Sequence, residues 1–311
     1  MHAASRILVV AGAIFIAFAP AGNDVRASTP AVTLGIPPAA TLTVTGTRRV
    51  VQAVNSLVAR SPMTLTSAVE PLVLASGGSV GIALIELGRT TPLVWSYNGG
   101  EIFTAASTYK LAALMMEAQN IAAGKSNPDG LVCYVDDDYE AGWFDDYADG
   151  MCFTRTELAQ RAGLFSDNTA GHMLVRDLGG ADALNAWAAS EGATESVFFT
   201  ANTTSPTDLA LLWAAEARGS LGGAAAHAWL YPMLTGTSTE AGVPSGVGGR
   251  SVVVHKTGTI DQVENDATLV ISGPNGAYVL TVMTDGIGGA AGWRVIADIS
   301  SDVWSFEAAR A

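Results

Sequence analysis

Positive charge is scarce in this sequence, and charge of any kind is low. Of 311 residues 14% are charged, and 16 Lys plus Arg face 29 Asp plus Glu, for a formal net charge of −13. A surface of that sign repels phosphate backbones, which argues against nucleic acid as a partner. Lysine is the rarer basic residue: against 13 arginines there are three lysines, at Lys110, Lys125 and Lys256.

Apolar runs long enough to cross a membrane are also lacking. The N-terminal run 7–19 (ILVVAGAIFIAFA) has 13 residues, too few to span a bilayer comfortably. With Arg6 before it and small residues after it, the run predicts a signal peptide over 1–27 and a secreted or periplasmic protein. No Cys follows it to carry a lipid, so we expect no stable membrane insertion after cleavage. An uncleaved anchor is the alternative.

Cysteine occurs twice, at Cys133 and Cys152. An even count in an exported chain predicts one disulfide, here closing a loop of about 20 residues. Because the loop lacks EF-hand spacing, we prefer a solvated acidic loop to a calcium site, and predict no metal and no cofactor. Its seven acids are Asp136, Asp137, Asp138, Glu140, Asp145, Asp146 and Asp149.

The order of patterns along the chain predicts an α+β fold. A linker with a short helix over 48–59 occupies 28–61, and a single domain fills 62–311. Strand patterns at both ends predict one antiparallel sheet from 62–105 and 245–311, with an all-α lobe, 106–244, inserted between them. Helical patterns cover 155–163, 167–178, 181–190 and 206–217. A strand over 252–255 is predicted to end before a turn at Gly258.

The motif Ser107-Thr108-Tyr109-Lys110 begins a predicted helix. Its i, i+3 spacing places a hydroxyl and an amine on one helix face. The field of the helix N-terminus favours an oxyanion and lowers the pKa of a nearby ammonium, so the pair suits a nucleophile and its base.

Two further motifs follow. Ser166-Asp167-Asn168 lies between two predicted helices and can offer a second hydroxyl and an amide to a cleft. Lys256-Thr257-Gly258 follows a predicted strand, whose edge offers the backbone N–H of Thr259 as an oxyanion donor. We expect Lys256 to supply a fixed positive charge for a substrate carboxylate, and Gly258 to leave room for substrate.

The three motifs in this order resemble those of the serine β-lactamase and penicillin-binding superfamily, and most closely those of the class A β-lactamases. Ser107 precedes Ser166 by 59 residues, which is similar to the class A spacing. The resemblance covers about 62–311 and implies that fold, with an α/β sandwich beside an all-α lobe. Segments that carry it include FTAASTYK, SDNTA and TTSP.

The resemblance implies a role for each position of the motifs. Ser107 would be the acylated nucleophile, and Lys110 would accept or relay its proton. Ser166 would pass a proton to the leaving nitrogen. The backbone N–H groups of Ser107 and Thr259 would form the oxyanion hole. Binding of the substrate amide and carboxylate would fall to Asn168, Lys256, Thr257 and Gly258.

The chain departs from class A enzymes where they carry a Glu and an Asn that position the hydrolytic water. The corresponding stretch, 192–202 (GATESVFFTAN), lacks that pattern and holds one acid, Glu195, which we expect at the surface. Acylation by β-lactams followed by slow release, or by release through a non-standard base, is therefore predicted. We also expect His172 to pack on a helix. Trp143 and Phe144 could form an aromatic wall of the cleft or simply pack in the core, and the sequence favours neither role over the other.

Two alternatives remain beside a monomeric β-lactamase-like resistance enzyme that acts on a small-molecule β-lactam. One is a D-Ala-D-Ala carboxypeptidase, or a related peptidase or esterase, that acts on cell-wall peptide. The other is a non-catalytic wall-associated binding module.

Overall fold

The computed structural model describes residues 64–249 and 251–311. The predicted signal peptide, the linker and the helix over 48–59 lie outside them. In chain order the strands are β1 (Ser79–Glu86), β2 (Val94–Tyr97), β3 (Phe103–Thr104), β4 (Leu131–Cys133), β5 (Cys152–Thr154), β6 (Thr203–Thr204), β7 (Val253–Ile260), β8 (Val263–Gly273) and β9 (Gly276–Asp285). The helices are α1 (Leu65–Ala75), α2 (Tyr109–Ala122), α3 (Arg155–Leu164), α4 (Asn168–Asp177), α5 (Gly180–Ser190), α6 (Pro206–Ala217), α7 (Gly223–Leu230), α8 (Val243–Gly246) and α9 (Gly289–Ala308).

A five-stranded antiparallel sheet in the order β2-β1-β9-β8-β7 forms the centre of the fold. Its strands come from both ends of the described chain, and helices α2 to α8 lie between them in sequence. The predicted α+β class is confirmed. Within residues 64–249 and 251–311, no helix has both the length and the apolar character needed to cross a membrane.

Both faces of the sheet are covered. Strand β1 reads SVGIALIE, an almost continuous apolar run that is typical of a strand buried on two sides. Alternation sends Ala83 and Ile85 into the core shared with the helical part, and Ile82 and Leu84 into the core beneath α1 and α9. The result is a layered sandwich that leaves strand β7 at one edge of the sheet.

The end of β7 differs from the sequence prediction, and the turn predicted at Gly258 is wrong. The strand continues through the third motif to Ile260. Glycine is required here by packing: a Cβ at Gly258 would lie 2.7 Å from the carbonyl oxygen of Ala105 and 3.0 Å from the nitrogen of Ser107. Gly258 therefore lets the strand edge approach the backbone of the nucleophile.

The predicted disulfide between Cys133 and Cys152 is confirmed, and it joins facing positions of β4 and β5. Two acids of the loop closed by this disulfide form ion pairs with arginines, in addition to the solvated surface that the sequence predicted. The Arg176 guanidinium donates to Asp138 at 2.7 Å, and Arg161 Nη2 donates to Asp146 at 2.8 Å. These pairs fasten the loop to α4 and α3, beside the second motif.

Candidate active site

Ser107 lies in a 3-10 turn, Ala106–Thr108, that leads into α2 beside the edge strand β7. The preceding residue, Ala106, has φ +49°, in the left-handed region that alanine seldom adopts. Backbone strain of this kind persists where the surrounding structure fixes it, and it clusters at functional sites. The turn leaves the Ser107 side chain partly exposed at the floor of a cleft.

Lys110 is fully buried, and its Nζ lies 2.9 Å from Ser107 Oγ. The same nitrogen donates to the backbone oxygen of Ser166 at 2.6 Å and to Asn168 Oδ1 at 2.7 Å. Burial disfavours the ammonium and lowers the pKa of Lys110 to about 7, although Asp167 and Glu140 oppose the shift. A neutral amine has two N–H donors and one lone pair. The two N–H groups match the contacts to Ser166 and Asn168, and the lone pair can accept the hydroxyl hydrogen of Ser107.

Ser166 stands between the two buried lysines. Its backbone oxygen accepts from Lys110, and its Oγ lies 2.9 Å from Nζ of Lys256. Lys256 also donates to the backbone oxygen of Thr257 at 2.7 Å. Burial, together with the nearby Lys110, lowers the pKa of Lys256 well below its usual value. The structure thus places Lys256 as a buried amine against the Ser166 hydroxyl, and its role in binding a substrate carboxylate stays a prediction.

Asp167 connects the second motif to the acidic loop. It is fully buried and caps α4 by accepting from the Ala170 N–H. Its Oδ2 accepts from the N–H groups of Trp143 and Phe144, each at 2.9 Å, and its Oδ1 accepts from the Tyr147 hydroxyl at 2.6 Å. One carboxylate thus shapes the start of α4 and the loop that faces it.

Two open walls border the cleft around Ser107. Strand β7 contributes Thr257 and Thr259, and the opposite wall includes Trp143, which is 61% exposed, and Phe165. The rings of Trp143 and Phe165 lie 5.6 Å apart. The structure therefore places Trp143 at the cleft, as the aromatic-wall reading requires. Asn168 lines the cleft as well, and its Nδ2 donates to the oxygen of Ala141.

The short segment 192–202 forms the far end of the cleft. Glu195 is exposed and does not line the cleft, as the sequence predicted. Phe199 and Asn202, with φ of +69° and +51°, are the segment's residues that line it. The Phe199 ring packs edge-on against Tyr109 and His172, with centroids 5.6 and 4.8 Å away.

Sequence reasoning missed two groups that line the cleft with Ser107. Glu140 was one of seven acids in a loop, and His172 was expected only to pack on a helix. The structure brings Nε2 of His172 to 2.7 Å from Oε2 of Glu140. One signal was available: His172 follows Asn168 by four residues, so both lie on the same face of α4.

A family comparison agrees with this geometry. The sequence model of the beta-lactamase enzyme family matches residues 64–306. The chain belongs to the beta-lactamase enzyme family. It is a serine hydrolase of that family, with Ser107 and the buried Lys110 at the base of its cleft.

Solved structures extend the comparison. A mutant of PBP-A, determined as an acyl-enzyme complex with penicillin G, has a TM-score of 0.71 and 26% identity over 78% of this chain and 94% of its own. A beta-lactamase from Sphaerobacter thermophilus has a TM-score of 0.69 and 26% identity over 76% and 96%. An ancestral class A beta-lactamase has a TM-score of 0.68 and 25% identity over 77% and 98%.

Replacing Asp167 tests how the cleft is held. Asp167→Ala removes the acceptor for three backbone N–H groups and one hydroxyl, so we expect a loss of about 3–5 kcal/mol in the free energy of unfolding. Urea unfolding measures the change. Asp137→Ala, at an exposed position of the same loop, is the matched control and should change stability by no more than about 0.5 kcal/mol. Equal effects of the two variants would contradict the role given to Asp167.

Proposed function

We propose that this hydrolase forms a covalent acyl-enzyme with β-lactams through Ser107. The observation that carries the proposal is the contact of 2.9 Å between Ser107 Oγ and Nζ of the buried Lys110. A lysine with a pKa of about 7 is neutral in about half of the molecules near pH 7, so it can serve as a base there. The fold relationship to an acyl-enzyme complex of PBP-A supports the same chemistry.

The proposed acylation begins when Lys110 takes the Ser107 proton as Oγ attacks the lactam carbonyl. The negative charge on the carbonyl oxygen is stabilised by the N–H groups of Ser107 and Thr259, where the edge strand meets the N-terminal turn of α2. The lactam C–N bond breaks as Ser166 protonates the nitrogen. The proton that Lys110 took from Ser107 passes to the Lys256 amine and from there to Ser166, whose Oγ lies 2.9 Å from Lys256 Nζ. Asn168 and Thr257 hold the substrate amide and carboxylate.

Slow release of the acyl group is the second part of the proposal. The segment that carries the water-activating Glu in class A relatives holds only the exposed Glu195 here. Loss of the usual base slows a step by about 10²–10⁴-fold, so release is slow or uses a non-standard base elsewhere in the cleft. The enzyme then behaves more like a penicillin-binding protein than like an efficient resistance enzyme.

Export as a monomer completes the proposal. The run at 7–19 and the small residues after it support a signal peptide over 1–27. The Cys133–Cys152 disulfide is of the kind that forms outside the cytoplasm.

Intact-mass spectrometry after mixing with penicillin G tests the proposal. We expect an adduct of one penicillin per chain that persists long after mixing, located on the peptide that contains Ser107. Ser107→Ala should show no adduct. Rapid turnover with no trapped species would contradict slow release, and an adduct on Ser107→Ala would contradict the assigned nucleophile.

The carboxypeptidase alternative is separated from the main proposal by its product. The observation that favours the carboxypeptidase alternative is the presence of PBP-A among the structural relatives. Release of D-alanine from a cell-wall peptide, faster than β-lactam turnover, would favour it. Absence of labelling by a fluorescent penicillin, in wild type as in Ser107→Ala, would favour a binding module.

The pH dependence of acylation follows from the state of Lys110. The amine accepts the Ser107 proton only when neutral, so the acylation rate should rise with pH and level off above a midpoint of about 7. Stopped-flow measurement of acylation gives the profile. In Lys110→Arg the side chain stays charged, and we expect a decrease of about 10²–10⁴-fold at neutral pH. A flat profile in wild type would contradict this assignment.

A further inference from the structure

Glu140 is the single carboxylate that lines the cleft around Ser107 in the part of the chain that the structure describes. It reaches the cleft from the acidic loop, on a different wall from segment 192–202. Its charge acts on the nucleophile's neighbours: burial dominates the pKa shifts of Tyr109 and Lys110, and Glu140 raises both pKa values. Glu140 and Ser107 therefore line the same cavity, and the carboxylate acts on the residues beside the serine.

The backbone and the side chain of Glu140 are both held. Its N–H donates to Thr169 Oγ1 at 3.1 Å, and its carbonyl oxygen accepts from the same hydroxyl at 2.9 Å. Its Oε2 lies 2.7 Å from Nε2 of His172, one turn further along α4. Among the described residues nothing donates to Oε1 of Glu140. One carboxylate oxygen is thus fixed by imidazole, and the other is available to a reactant.

The cavity beside these groups has room and polar partners for a water molecule. Its volume is about 230 Å³, against roughly 30 Å³ for one water in the liquid. The lining residues Ser107, Asn168 and Glu140 carry the polar groups that can hold a water molecule there.

We propose that Glu140, oriented by His172, is the general base that activates water in the release of the acyl group from Ser107. The inference rests on the acyl-enzyme proposed above and supplies the base for its slow second step. Glu140 acts as a catalytic residue, and His172 acts as a positioning residue.

Glu140 Oε1 removes a proton from water while the water oxygen forms a bond to the acyl carbonyl carbon. The resulting oxyanion collapses and the bond between that carbon and Ser107 Oγ breaks. The proton taken by Glu140 passes to Oγ by way of Lys110, which restores neutral Lys110, ionised Glu140 and the free serine and leaves a carboxylic acid product.

Other acids near the cleft are poorly placed for this task. Asp167 is fully buried, and both of its oxygens already accept hydrogen bonds. Glu195 does not line the cleft, whereas Glu140 does, with a side chain that is 53% exposed. Lys110, the other possible base, already makes three contacts and acts as the base of acylation.

The test follows the two steps separately by intact-mass spectrometry with penicillin G. In Glu140→Gln we expect adduct formation within about threefold of wild type, and loss of adduct slowed by about 10²-fold or more. Glu195→Gln, a matched change at the exposed acid, should leave both rates unchanged. Loss of adduct at the wild-type rate in Glu140→Gln would overturn the inference while leaving the acyl-enzyme intact. Absence of any adduct or turnover in wild type would overturn both proposals.

The His172 variants distinguish positioning from folding. His172→Phe keeps a planar ring but removes the contact to Glu140, so we expect loss of adduct slowed by about tenfold with adduct formation little changed. His172→Gln restores a side-chain N–H and should recover part of the rate. Thermal unfolding of both variants measures folding directly. Loss of adduct at the wild-type rate in His172→Phe, or equal slowing in both variants, would overturn the positioning role.

Discussion

The burial of two lysine amines around one serine is the constraint on which the rest of the site depends. Lys110 and Lys256 both contact Ser166, and neither is exposed to solvent. Two ammonium groups so placed would repel each other and lose hydration, so burial favours neutral amines. Neutral amines can accept protons, and this turns a pair of hydroxyls into a nucleophile and a proton donor.

The surrounding structure holds these groups in that arrangement. Gly258 lets the edge strand approach the backbone of Ser107, and Gly171 leaves space for the Lys110 side chain, which a Cβ there would meet at 2.8 Å. Asp167 fixes the acidic loop against α4. Ser166 itself has φ +61°, an unfavourable conformation that a packed site can maintain. The same loop brings Glu140 to the cleft, so structural support and proposed catalysis share one segment.

Sequence reasoning recovered the sheet, the helices, the disulfide and the grouping of the three motifs, because each depends on local pattern or on a specific set of spaced residues. It missed what depends on long-range packing. The sequence predicts a turn at Gly258, because it does not show that the backbone of Ala105 packs closely against this residue. The burial of Lys256 against Ser166 is also invisible in the sequence. Glu140 could not be singled out from six similar acids, since only the fold brings it to His172.

The most direct test of this account is NMR of the lysine side chains. The chain has three lysines, so selective ¹⁵N or ¹³C labelling gives three sets of signals, and Lys125→Arg identifies the exposed one. We expect the Lys110 signal to titrate with a midpoint of about 7. A Lys110 amine that remains fully protonated at pH values well above that midpoint would contradict it.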